Sequence, residues 1–271
     1  MWEKRYGAVL PQRTAAGGRL YSDPDVERLQ LLRVLVESGN SIGGIATLSD
    51  AELRQMAAAF PSPSSEPVSQ HLPEVRARVM NAIENLRVDY AERLLSGAAL
   101  GTEPLALVKN VIGPTMVEIG ERWERGELRI AHEHACSTVM RGLLFSLMRL
   151  YPSNDARRRA VVATPAGESH ELGALMVAML AAMHGWNVLY LGPDLPADEI
   201  AYAVMQTGAE LLLLSVTSLE RQAAWIEIAA IEKSLPPGVR ILVGGRAASA
   251  PAGSRAEVQQ DLEIAVATLS R

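Results

Sequence analysis

The sequence predicts a chain of three parts: a carboxyl-terminal α/β unit with a parallel sheet, an all-α four-helix bundle before it, and a small mixed segment at the amino end. Three observations carry this. From residue 157 onward short apolar runs alternate with helical patterns, as in a parallel sheet with right-handed crossovers. Residues 74–152 show helical spacing alone. Ser62-Pro63-Ser64-Ser65-Glu66-Pro67, between Pro61 and Pro73, reads as an extended linker. The parts are therefore 1–60, a linker at 61–73, 74–152 and 157–271.

In chain order, Ala15-Ala16-Gly17-Gly18 predicts a hairpin. Ser22-Asp23-Pro24-Asp25 then opens a helix, with Pro early and an acid three residues after the cap. Val26, Leu29, Leu32 and Val36 follow at helical spacing up to Gly39. Ser49-Asp50-Ala51-Glu52 starts another short helix. In the bundle, Val75, Val79, Ile83, Leu86, Tyr90 and Leu94 form one apolar stripe. Thr102-Glu103-Pro104 opens a second helix, Gly113-Pro114 breaks it into a third, and a long fourth covers roughly 129–150. Strands are expected at 160–163, 187–191, 211–215 and 240–243, each followed by a helix.

Composition narrows the function classes. The 271 residues are 48% hydrophobic and 21% charged, with net charge −5, which argues against a protein coated in basic charge for nucleic acid. Residues 1–60 balance seven basic against seven acidic groups, yet Lys4, Arg5, Arg13 and Arg19 face only Glu3 within the first 20. Cys136 is the sole cysteine, which excludes a disulfide framework and a Cys-rich zinc module. No apolar run approaches a membrane span, and no apolar stretch follows the charges at the start. A soluble, cytoplasmic protein is expected, with no membrane partner.

The chemistry falls at the strand ends, where open α/β sheets bind ligands. Gly167-Glu168-Ser169-His170-Glu171-Leu172-Gly173 follows the first strand, Ser215-Val216-Thr217 ends the third, and Gly244-Gly245 ends the fourth. Each alone is uninformative; their coincidence around one crevice is the signal. A neutral imidazole at His170 suits a cobalt-like metal, and Glu168 is placed to take its other ring N–H. Ser215 and Thr217 offer hydroxyls to a buried heterocycle, while Gly173, Gly244 and Gly245 let a long tail approach the backbone. His132 and His134 lack the partners a zinc site needs.

This arrangement resembles the Asp-x-His-x-x-Gly, Ser-x-Thr and Gly-Gly signature of cobalamin (vitamin B12) domains, with Glu168 for the usual Asp. The resemblance covers roughly 157–271, including Tyr190-Leu191-Gly192-Pro193-Asp194-Leu195-Pro196. It implies a Rossmann-like, flavodoxin-like domain that binds the cofactor base-off with His170 on cobalt. Trp123, nine intervening residues, then Glu133-His134 resembles the motif of the CarH-type light-dependent transcriptional repressors. By that resemblance the bundle caps adenosylcobalamin, with Trp123 against the adenosyl group and Glu133 and His134 lining its pocket. The plainer reading is a buried bundle Trp beside an exposed Glu-His pair. Light-sensing members commonly carry His directly after that Trp; here Glu124 stands in its place, against a stable bis-His photoproduct.

Residues 1–60 resemble a MerR-type DNA-binding domain, a partial winged helix-turn-helix. Trp2 to Gly7, Pro11-Gln12-Arg13-Thr14 and Gly18-Arg19-Leu20-Tyr21-Ser22 match the end of the recognition helix, the wing and the next helix. Lys4, Arg5, Arg13 and Arg19 are its candidate DNA contacts. Two origins stay open: a start upstream of Met1, or a regulator working on DNA through a partner. The expected function is a homo-oligomeric, non-enzymatic cobalamin-dependent transcriptional regulator and photoreceptor, in which cofactor state controls assembly. The alternatives are a corrinoid methyl carrier of a methyltransferase system, and a regulator whose fold has outlived its cofactor.

Overall fold

The computed structural model describes residues 6, 8–9, 12–13, 19–37, 40–58, 72–151 and 158–269. Strands β1 (Gln12–Arg13) and β2 (Arg19–Leu20) pair antiparallel, with Arg13 opposite Arg19. Lys4 and Arg5 lie outside the described residues, as do 14–18 of the expected hairpin and most of the expected linker. Helices α1 (Asp23–Glu37), α2 (Ile42–Ile45) and α3 (Asp50–Ala58) follow. Both capping boxes form. Ser22 Oγ donates to Asp25 at 2.7 Å and accepts its N–H at 3.3 Å, and Ser49 with Glu52 repeats both distances. Leu32, Leu35, Ile45 and Leu53 close a small core. Arg28 is spent inside it, donating to the carbonyls of Ala8, Ala46 and Leu48 at 2.7–2.8 Å and pairing with Asp50.

The bundle contains α4 (Leu72–Glu84), α5 (Val88–Gly101), α6 (Pro104–Leu107), a π turn (Val108–Ile112), α7 (Gly113–Glu124) and α8 (Ile130–Met148). Two expected features are corrected here. The stripe from Val75 to Leu94 is not one helix: the chain turns at Leu86, which is exposed and has φ 52°. Arg87 N–H reaches Ala82 O at 2.8 Å and Leu86 N–H reaches Ile83 O at 2.9 Å, a Schellman closure. Its left-handed residue is leucine rather than glycine, so the sequence carries no stop signal. Conversely, Gly113-Pro114 does not break the rod. The π turn widens the helix so that Gly113 N–H bonds Val108 O, and the turn absorbs the proline. The two corrections offset each other, and four rods remain.

The carboxyl-terminal part is a five-stranded parallel sheet: β3 (Arg159–Pro165), β4 (Asn187–Leu195), β5 (Leu211–Ser215), β6 (Arg240–Gly244) and β7 (Glu257–Val258). Spatial order is β4-β3-β5-β6-β7, so the winding reverses between β3 and β5. That reversal puts a ligand crevice at their carboxyl ends. Helices α9 (Leu172–Met183), α10 (Ala197–Thr207), α11 (Arg221–Ser234) and α12 (Leu262–Leu269) cover the faces. Along β3, Val161 and Ala163 pack with α10 and α11, while Ala160 and Val162 pack with α9 and Leu269 of α12.

Helix α9 explains how the two larger parts join. Its sequence is apolar all round because both sides are covered. Ala174, Ala178 and Ala181 lie on the sheet, where small side chains allow close approach. Leu172, Leu175, Met179 and Leu180 share the bundle's core with Met140 and Leu144 of α8. Among the described residues no helix is long and apolar enough to cross a membrane.

Candidate cofactor site

Glu168 organises the crevice. It is fully buried, at 0% exposure, in the loop after β3. One oxygen accepts the backbone N–H groups of Thr217, Ser218 and Leu219 at 2.7, 2.6 and 3.0 Å, all from the loop after β5. The other accepts the His170 N–H at 2.9 Å and the Ser218 hydroxyl at 3.0 Å. Burial pushes this carboxyl upward, but the amides of Ser218, His170, Thr217 and Leu219 outweigh it and hold the pKa at about 2. The group is an anion that staples the two switch-point loops together.

His170 uses that anion. Its Nδ1 lies 2.8 Å from Glu168 Oε1 and 2.8 Å from Ser218 Oγ, while its side chain remains 60% exposed. With Nδ1 engaged, Nε2 is the nitrogen left for a metal. The loop is braced from β4. Asp194, at φ 59°, takes the Gly167 N–H on its carboxylate at 2.7 Å and donates its own N–H to Glu168 O at 3.1 Å. Thr164 Oγ1 also donates to Glu168 O. Ser169 sits exposed beside the histidine.

Deeper between β5 and β6 lies a cavity of about 200 Å³, lined by Gly173, Ser215, Gly244, Gly245 and apolar residues including Leu242 and Leu262. Ser215 Oγ borders it, buried and without a hydrogen-bond partner among the described residues, which a native interior tolerates only for a reason. Side chains are excluded around it. A Cβ on Gly173 would stand 2.7 Å from Ser215 Oγ and 3.8 Å from Thr217 Oγ1, and one on Gly245 (φ 102°) would strike Val216 O at 2.3 Å. A narrow slot ending on an unsatisfied hydroxyl suits a long tail carrying a heterocycle. The structure thus brings Glu168, His170, Gly173, Ser215, Thr217, Gly244 and Gly245 to one crevice and its slot. Ser218 completes it without any motif that marks it, and Asp194 comes from the Tyr190–Pro196 stretch after the second strand.

The bundle overhangs this crevice. Phe145 of α8 meets Tyr190, in the middle of β4, edge-on with centroids 5.6 Å apart, and Met148 further along α8 packs against the cluster between α9 and the sheet. Arg141, nearer the start of α8, pairs with Glu171 at the carboxyl ends. The helix therefore runs opposite to the strands, and its first half projects beyond the sheet edge. Glu133 and His134 lie there, about 12 and 10 Å along the axis from Arg141 at 1.5 Å per residue. Ser137 Oγ donates to Glu133 at 2.6 Å, whereas the His134 side chain is 73% exposed. Trp123 ends α7 at this same end of the bundle and is 43% exposed, not buried in the bundle core. Among the described residues no three His, Cys, Asp or Glu cluster to hold a metal by themselves. The lone Cys136 is buried, its thiol pushed up to about 12 by burial and then by Glu133.

Comparison with known proteins adds the family. Residues 75–147 and 158–265 each match a B12 binding domain, and residues 1–52 match the MerR HTH family of regulatory proteins. The chain is 32% identical over 250 residues to the HTH-type transcriptional repressor CarH of Myxococcus xanthus, covering 91% of this chain and 83% of that one. To the repressor CarA of the same organism it is 28% identical over 216 residues, covering 79% and 69%. A solved monomethylamine corrinoid protein of Methanosarcina barkeri shares the fold, with TM-score 0.57 at 19% identity over 73% of this chain and 97% of that one. Two cobalamin-type modules joined to a MerR-type segment, at this identity and coverage, place the chain in the CarH-type family of cobalamin-binding, MerR-type transcriptional regulators.

Proposed function

We infer that this regulator binds adenosylcobalamin between bundle and sheet, and that the cofactor's state, altered by light, sets oligomeric state and occupancy of DNA. The observation that carries this reading is His170, held through Nδ1 by the buried Glu168 anion, in the loop whose next residue, Glu171, pairs with Arg141 of α8. His170 Nε2 is the ligand for cobalt, with Glu168 and Ser218 fixing the tautomer. The slot bordered by Gly173, Ser215, Thr217, Gly244 and Gly245 takes the nucleotide tail, and Ser215 Oγ gains its missing partner there. Trp123, Glu133 and His134 cover the opposite side. Trp123 offers a large, partly exposed ring at that end of the bundle, a surface on which a bulky apolar upper ligand can pack. When bound, adenosylcobalamin supplies a light-labile cobalt–carbon bond. The chain's residues would orient it and exclude water, and Glu168 would hold the His170 ring in place. Arg13 and Arg19, paired across β1 and β2, with Lys4 and Arg5, are the proposed DNA contacts, made directly or beside a partner regulator.

The test is an absorption spectrum of the chain with adenosylcobalamin in darkness and after green light, paired with a gel shift on the native operator. Retained cofactor, a light-dependent spectrum and light-dependent operator binding are expected. Because Glu124 replaces the histidine common in light-sensing relatives, no bis-histidine product is expected after illumination. A gel shift indifferent to both cofactor and light would overturn the regulatory reading. A preference for methylcobalamin with methyl turnover would favour a methyl carrier instead.

The slot has its own test. Gly173→Ala adds a methyl group 2.7 Å from Ser215 Oγ. Cobalamin affinity is expected to fall about tenfold, while a thermal melt of the cofactor-free chain moves little because alanine favours the helix. Unchanged affinity in a titration would place the tail elsewhere.

A further inference from the structure

Bundle and sheet meet in two ways. The larger contact is the apolar one through Leu172, Leu175 and Met179 of α9. Burial of this kind is non-directional and does not fix how far α8 tilts over the crevice. The second contact is polar, and it sits beside the metal-ligand candidate. Arg141 Nε and Nη2 both lie 2.6 Å from Glu171 Oε1. The other oxygen of Glu171 accepts the Tyr190 hydroxyl from β4 at 2.7 Å. Phe145, one turn past Arg141, closes on the Tyr190 ring at 75°. The Glu171 side chain is only 14% exposed. Burial, then the bond to Glu171, raises the Tyr190 pKa, so its hydroxyl remains a donor.

Three elements thus converge on one carboxylate, and that carboxylate directly follows His170 in the chain. Resting on the cobalamin reading above, we propose that Arg141, Glu171 and Tyr190 are positioning residues that pin α8 over His170. They thereby set the preference for a bulky over a small upper ligand. The reason is geometric: a bulky upper ligand would extend toward the first half of α8 and a small one would not, so only the bulky one's binding would depend on where that helix is held. His170 and the tail slot belong wholly to the sheet domain, so a cobalamin held mainly through them would depend less on the latch.

The experiment measures affinity of the full chain for adenosylcobalamin and for hydroxocobalamin in darkness. It compares wild type, Arg141→Gln, Tyr190→Phe, and Arg141→Glu combined with Glu171→Arg. In Arg141→Gln, affinity for adenosylcobalamin is expected to fall about tenfold, the scale of a charge-assisted hydrogen bond, with hydroxocobalamin nearly unmoved. Tyr190→Phe shifts the same ratio by a smaller factor, and the charge-swapped pair restores part of it. Amides of 133–145 in cofactor-free Arg141→Gln are expected to exchange faster, although the apolar contact keeps the domains together. A ratio unmoved by Arg141→Gln, equal loss for both cobalamins, or unchanged exchange would overturn the latch alone. Wild type that retains neither cobalamin would overturn the cofactor reading itself, and the latch with it.

Discussion

Replacing His170 by alanine is expected to cost at least about a hundredfold in cobalamin affinity while leaving the fold almost untouched. Partners that merely orient a metal ligand are worth about 10–100-fold, so the ligand itself is worth no less. Stability is spared for a reason visible in the loop. The His170 side chain is 60% exposed and no core packs on it. The Glu168 anion beneath it keeps its bonds to the Thr217, Ser218 and Leu219 amides, to the residue-170 N–H and to the Ser218 hydroxyl. Equilibrium titration followed by absorbance, beside a thermal melt, separates the two effects. An affinity within a few-fold of wild type would move the axial ligand to another residue, and the orientation role of Glu168 would fall with it.

His170 was legible in the sequence because its chemistry is local: a carboxylate two residues before a histidine, in a loop after a strand. The parallel sheet was legible for a similar reason, since Val161-Val162-Ala163 and Leu211 to Leu214 are short, wholly buried runs. The short strand β7 was not read. Its two residues are exposed and carry no apolar run. The parts of the site that escaped are those made by long-range backbone. Ser218 reaches Glu168 across 50 residues, once through its hydroxyl and once through its main-chain N–H, and the latter no side-chain motif records. Arg141 and Glu171, 30 residues apart, pair only because α8 runs opposite to the strands. The bundle's helix breaks were misread where tertiary context overrode residue preference: leucine in a left-handed cap at 86, and a proline at 114 carried by a π turn.

The largest effect on stability is expected from Glu168→Gln. The wild-type carboxylate offers two acceptor oxygens to six donors, from Thr217, Ser218 (twice), Leu219 and His170 (backbone N–H and Nδ1). Glutamine keeps the shape but turns one oxygen into an NH2 that faces donors, so either three amides or the three donors on the other oxygen lose their acceptor. The cost is expected to be about 3 kcal/mol, lowering the melting temperature by roughly 6–12 °C for a domain of this size. The same residue dictates a pH signature. Its folded pKa of about 2 lies below the 4.5 of a free glutamate. A depressed carboxyl contributes stability that is fully present above the unfolded pKa and is lost as pH falls through the folded one. For this shift the contribution is roughly 3 kcal/mol, lost between about pH 5 and pH 2. Glutamine does not titrate, so urea unfolding of cofactor-free wild type and variant should show a gap at pH 7 that narrows by roughly 2 kcal/mol at pH 3. A gap that stays constant with pH would mean that Glu168 is not the anion stapling the two loops, and the tautomer it is proposed to impose on His170 would lose its physical basis.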